Sequence, residues 1–127
     1  MSEKNEVLAA NEAFYRAFAA ADLGAMDAMI ARAHPVAIIH PGWPAISGRA
    51  SVMETWRMIF AEGPQETRPV NPEVYLCGDS AFVIVYEGMG GVFLVATNIF
   101  VREDGEWRLA HHQAGPIPSP SPDAPLM

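Results

Sequence analysis

The chain predicts an α+β fold: N-terminal helices packed on an antiparallel sheet. Three observations carry this. Apolar residues recur at helical spacing through the first half of the chain. From Pro72 onward β-branched and aromatic residues dominate, cut into segments by turn signals. Those segments lie too close together for the crossovers of about a dozen or more residues that parallel neighbours need.

Val7, Asn11, Phe14 and Phe18 form one stripe, flanked by Leu8 and Tyr15, in a segment rich in Ala and free of Gly and Pro. This predicts a helix from Glu3 to about Ala21. Asp22 is placed to cap a second, shorter helix carrying Leu23, Met26, Met29 and Ile30, which Pro35 ends because proline lacks the N–H a continuing helix needs. Val36–His40 reads as a short strand broken by Pro41-Gly42-Trp43-Pro44. After Ser47-Gly48, Val52, Trp56, Ile59 and Phe60 return to helical spacing, and Gly63-Pro64 ends that third helix.

Four strands are expected next, at Glu73–Cys77, Ala81–Gly88, Val92–Arg102 and Trp107–Ala114. In Val92–Arg102 one face carries Phe93, Val95, Thr97, Ile99 and Val101, and the other Val92, Leu94, Ala96, Asn98 and Phe100. Neither face is polar. The domain's own helices cover one, so the other is expected to meet a second subunit in a homodimer. Five prolines from Pro116 onward predict an extended or disordered tail, giving one domain over 1–115 and a tail over 116–127.

Half of the 127 residues are hydrophobic, enough for a real core. The net charge of −7 argues against nucleic acid and anionic membranes as partners. Cys77 stands alone, excluding an intrachain disulfide and a cysteine-based metal cluster. Met1–Glu6 is polar rather than signal-like, and no apolar run reaches about 18 residues, so a cytoplasmic location is expected.

Several segments resemble the SnoaL-like branch of the nuclear transport factor 2-like superfamily. They are the run Phe14–Met26, His40-Pro41-Gly42 followed by Gly48-Arg49-Ala50-Ser51-Val52, and Ala96–Phe100 with Asp104–His112. The resemblance covers about residues 5–116. It implies a cone-shaped domain in which a curved antiparallel or mixed sheet wraps around the N-terminal helices, a cystatin-like α+β barrel with an apolar pocket between sheet and helices, and frequent dimers, but no single function: relatives include isomerases, dehydratases, polyketide cyclases and non-catalytic assembly modules.

Compared with ketosteroid isomerases, whose carboxylate base faces an oxyanion hole of a tyrosine and a protonated acid (an example worked out in general accounts of catalysis), the resemblance puts His40 at the base. Asn98 falls at the protonated acid and Phe14 at the tyrosine; Tyr15 lies one position beyond, read as core with its hydroxyl at the rim. That reaction is therefore not expected. The candidate catalytic set is His40, Asn98 and His112. The candidate pocket lining is Phe14, Tyr15, Trp43, Met53, Trp56, Leu94 and Ala96, and the ligand is a small apolar or carbonyl-bearing molecule.

Each of these residues also has a structural reading. In that reading His40 bonds a backbone carbonyl, Asn98 ties strands together, and Trp56 fills the core. His111 and His112 are adjacent in a strand and point to opposite faces, so they do not form a metal pair. His40, His112 and Glu87 would make a two-histidine, one-carboxylate set, but no helical His spacing supports it, and no metal or other cofactor is expected. The rival to a ligand-binding or proton-transfer protein is a non-catalytic assembly domain with a vestigial pocket.

Overall fold

A computed structural model describes residues 2–118. Three helices, α1 (Glu3–Ala20), α2 (Leu23–Met29) and α3 (Arg49–Phe60), accompany six strands: β1 (Ala37–Ile39), β2 (Ile46–Ser47), β3 (Arg68–Cys77), β4 (Ser80–Met89), β5 (Val92–Glu103) and β6 (Glu106–Ile117). The strands form one sheet in the order β2-β1-β6-β5-β4-β3. It is mixed rather than purely antiparallel, because β1 runs parallel to β6, and it does not close into a barrel.

Local chemistry sets the helix ends. The Ser2 side chain accepts from Asn5 N–H, and Asp22 from Ala25 N–H at 3.0 Å, as a cap should. Ala21 turns left-handed between the two helices at φ 52°. Ile30, expected inside α2, instead leaves the helix and bridges to Leu109.

The strand expectations hold for β4, β5 and most of β6, and fail at the sheet's margins. β2 was missed; two residues carry too little pattern to read. β3 starts at Arg68 rather than Glu73, running through Pro69 and Pro72 with a register shift between Val70 and Glu73. β3 is an edge strand, so prolines lacking N–H donors remove no central ladder bonds. β6 likewise continues past Ala114 to Ile117, with Pro116 opposite Leu94. Beyond Gln113 it has no β1 partner, and proline is tolerated there too. The first residues of the expected tail thus belong to the sheet, while Pro120, Pro122 and Pro125 lie outside the described residues.

The core lies between the helices and one face of the sheet. Val83, Val85, Leu94, Ala96, Phe100, Leu109 and Ala114 point inward against Phe14, Phe18, Met26, Val52 and Trp56. On the opposite face Phe82, Ile84, Tyr86, Phe93, Val95, Ile99 and Val101 are only half-buried. Both faces are expected to be covered; among the described residues only the inner one is. Among the described residues, no helix is long and apolar enough to cross a membrane.

Candidate functional site

A cavity of about 230 Å³ lies at the edge of this core, lined by residues that include Phe18, His40, Trp43, Glu87, Met89 and His112. Strand alternation explains why Glu87 and His112 share it. The inward positions of β4 are Ala81, Val83, Val85 and Glu87. His112 lies opposite Asn98, and the next inward row is Ala114–Ala96–Val85. Two alanines there leave room for the longer side chains on either side to converge. His40 arrives from the end of β1, and its ring is held by α3.

The hydrogen bonds fix how each group faces the cavity. The Thr55 hydroxyl donates to the Val52 carbonyl at 2.7 Å, so it can only accept from His40 Nε2, 2.9 Å away. His40 is therefore the Nε2–H tautomer, with its lone pair on Nδ1. Its anchor is a side-chain hydroxyl rather than a backbone carbonyl. Burial lowers its pKa to about 4, leaving it neutral at pH 7.

A second network runs from α1 through the sheet. Asn98 Nδ2 donates to Asn11 Oδ1 at 2.9 Å and to the Tyr15 hydroxyl oxygen at 3.2 Å. The Tyr15 hydroxyl in turn donates to Glu87 Oε2 at 2.5 Å. Asn98 Oδ1 is left to accept from His112 Nδ1 at 2.5 Å. His112 is thus the Nδ1–H tautomer, with its Nε2 lone pair 3.9 Å from Glu87 Oε2.

Burial, with smaller contributions from His40 and His111, lowers the His112 pKa to about 3. Burial raises the Glu87 pKa, and the Tyr15 hydrogen bond partly opposes it. Tyr15 itself is held well above the usual phenol range by burial and the adjacent carboxylate.

The sequence-predicted residues divide into three groups. His40, His112 and Trp43 line the cavity. Phe14 and Trp56 stand behind it: Phe14 is 5.0 Å from the His112 ring and Trp56 4.8 Å from the His40 ring, by centroids. Among the described residues the buried Trp56 Nε1–H has no hydrogen-bond partner. Leu94 and Ala96 are buried inward sheet positions.

Three expectations need correction. Met53 faces a groove between α2 and α3, beside Leu23, Asp27 and Arg57, because it flanks the buried stripe of its helix and packs at the edge of the core away from the cavity. The Tyr15 hydroxyl is not at the rim; it lies inside the network, 1% exposed. Asn98 has both N–H bonds engaged, and so positions Tyr15 and His112 rather than offering a free donor.

Glu87 was named in the sequence only as a hypothetical metal ligand, although a charged residue in an inward, otherwise apolar register is a readable signal. Asn11 and Thr55 gave no comparable signal, since each fits a helical stripe. Among the described residues, no group of three or more His, Cys, Asp or Glu side chains is arranged to hold a metal ion. His111, on the opposite face from His112, bonds the Ala37 carbonyl.

The profile for the SnoaL-like domain matches residues 7–119. The chain belongs to the SnoaL-like family. Among solved structures it is similar to a candidate dehydratase of the nuclear transport factor 2-like family from Streptomyces avermitilis, with 28% identity, TM-score 0.83, and coverage of 91% of this chain and 97% of that one. It is also similar to a candidate calcium/calmodulin-dependent protein kinase type II association domain from Thiobacillus denitrificans, with 33% identity, TM-score 0.74, and coverage of 87% and 94%. A cystatin-like protein from Nostoc punctiforme, 16% identical with TM-score 0.74 and 92% coverage of both chains, shares the fold. No curated protein sequence matches the chain at a significant level.

Proposed function

We propose that this SnoaL-like domain binds a compact, single-ring or carbonyl-bearing molecule in the His40–Glu87–His112 cavity and moves a proton on it without a cofactor. The observation that carries the reading is the pair of neutral imidazoles at a buried cavity, each with one nitrogen tied down and the other carrying a lone pair. At about 230 Å³ the cavity lies below the roughly 300–1,000 Å³ usual for ligand sites, which restricts this reading to a single small ring and counts toward the ligand-free alternative.

His40 is the base in this reading. Its low pKa makes it a weak acceptor whose conjugate acid readily returns the proton, as isomerisation or elimination requires. The similarity to a candidate dehydratase supports the same chemistry.

The test is hydrogen–deuterium exchange at the α-carbons of small cyclic ketones, followed by NMR. Wild-type protein should accelerate exchange and His40→Ala should abolish the acceleration; equal rates in the two would remove His40 from the role.

A second reading, self-association with a ligand-free role, rests on the half-buried apolar outer face and on the likeness to a candidate association domain. Sedimentation at micromolar concentration tests it, and a clean monomer of 13.8 kDa would sink it.

A further inference from the structure

The bond directions around the cavity leave two acceptors facing each other. The Tyr15 oxygen accepts from Asn98 and its hydrogen goes to Glu87 Oε2. Asn98 Oδ1 takes the Nδ1–H of His112. A carboxylate oxygen and an imidazole lone pair therefore stand 3.9 Å apart, in residues each 1% exposed. A proton on either atom is too far from the other for a direct hydrogen bond. In such surroundings two acceptors repel unless a donor lies between them.

We propose that Glu87 and His112 form a recognition site for a primary ammonium group, so that the ligand is a compact ring compound carrying an amine. The inference rests on the cavity being the ligand site. A donor atom about 2.8 Å from each acceptor spans the 3.9 Å gap at an angle of about 90°. That requires two hydrogens on one atom; a hydroxyl has one, an ammonium three.

Charge points the same way. Among the described residues no lysine or arginine forms an ion pair with Glu87; its one charged-type neighbour is the His112 ring. A ligand cation would supply the missing partner, and a ligand carboxylate would meet a like charge. The net charge of −7 favours approach of cations over anions.

Three single-ring probes that differ only in the polar group test this by titration calorimetry: benzylamine, benzyl alcohol and benzoate. Benzylamine should bind at least about tenfold tighter than benzyl alcohol, with benzoate weakest. Glu87→Gln keeps an acceptor for Tyr15 but removes the charge. It should erase the benzylamine advantage, weakening benzylamine at least about tenfold more than it weakens benzyl alcohol.

Nitrogen-15 NMR of the wild-type imidazoles gives a second readout that needs no variant: His112 Nε2 should shift upfield with benzylamine and not with benzyl alcohol. Equal binding of amine and alcohol, as when a water bridges the pair, or preference for benzoate, overturns the ammonium site while the cavity reading stands. Binding of none of the three overturns both.

Discussion

The two faces of the same three strands invert the usual arrangement. On the inner face of β4, β5 and β6, where burial is nearly complete, stand Glu87, Asn98 and His112. On the outer face, where water reaches, stand Phe82, Ile84, Tyr86, Val95 and Ile99. A stability-only design would exchange them, because burying polar groups costs free energy and exposing apolar ones contributes none. The inner face meets that cost with a nearly complete hydrogen-bond network; the outer face leaves its apolar surface available. In the two readings proposed above, the interior polarity belongs to a ligand site and the exterior apolarity to a surface for association.

The largest effect should come from breaking the inner network at its hub. Asn98→Ala strands His112 Nδ1, Asn11 Oδ1 and one side of Tyr15. At about 1–3 kcal/mol for each buried group left unpaired, the loss should exceed about 3 kcal/mol in urea unfolding. A loss below about 1 kcal/mol would show that the network reorganises around the gap.

Acid should act almost as strongly. Both buried histidines have folded pKa values below the ordinary 6.5, at about 4 and about 3. As pH falls below 6.5, the unfolded chain takes up protons that the folded chain refuses, and stability drops. Glu87 works in the other direction, since its raised pKa lets the folded chain accept a proton first; it offsets part of the loss. From pH 7.5 to 5.5 each histidine should cost up to about 1.4 kcal/mol, less what Glu87 offsets, and His40→Gln or His112→Gln should each flatten the fall.

The contrast between faces was already written in β5. Alternation placed Asn98 opposite Ile99, and the four-strand meander and all three helices followed from periodicity and turn residues. Residues whose role depends on contacts from distant elements were harder to read. Tyr15 is near one end of the chain and Glu87 is 72 positions away, so their bond follows from the packing of α1 on the sheet and not from either local pattern. Met53 failed for a related reason: helical spacing says which residues share a face, but not whether that face meets the cavity or the α2–α3 groove. The missed strand segments all lie at margins, where prolines and short pairings blur the β signal.

A smaller effect sharpens what Tyr15 does. Tyr15→Phe keeps the ring's packing against Phe14 and removes the hydroxyl between Asn98 and Glu87. The loss should be about 1–2 kcal/mol. Because that hydroxyl is what opposes the rise in the Glu87 pKa, the variant should push it higher, readable as a shifted carboxyl carbon titration in NMR. An unchanged titration would mean that Tyr15 only fills space.

The least effect on stability, and the sharpest test of the outer face, comes from Ile99→Lys. Ile99 lies between Phe82 and His111 on the half-buried side, one residue from Asn98 and Phe100 on the fully buried side. A lysine there keeps its stem along the neighbouring apolar surface and its ammonium in water, so unfolding should change by less than about 1 kcal/mol. The same substitution at Phe100 would bury an unpaired charge and should prevent folding. If copies meet through the outer face, Ile99→Lys places like charges in their interface and should lower the sedimentation coefficient toward the monomer's. An assembly that persists unchanged would locate the contact elsewhere and leave the apolar exterior as surface the fold merely tolerates.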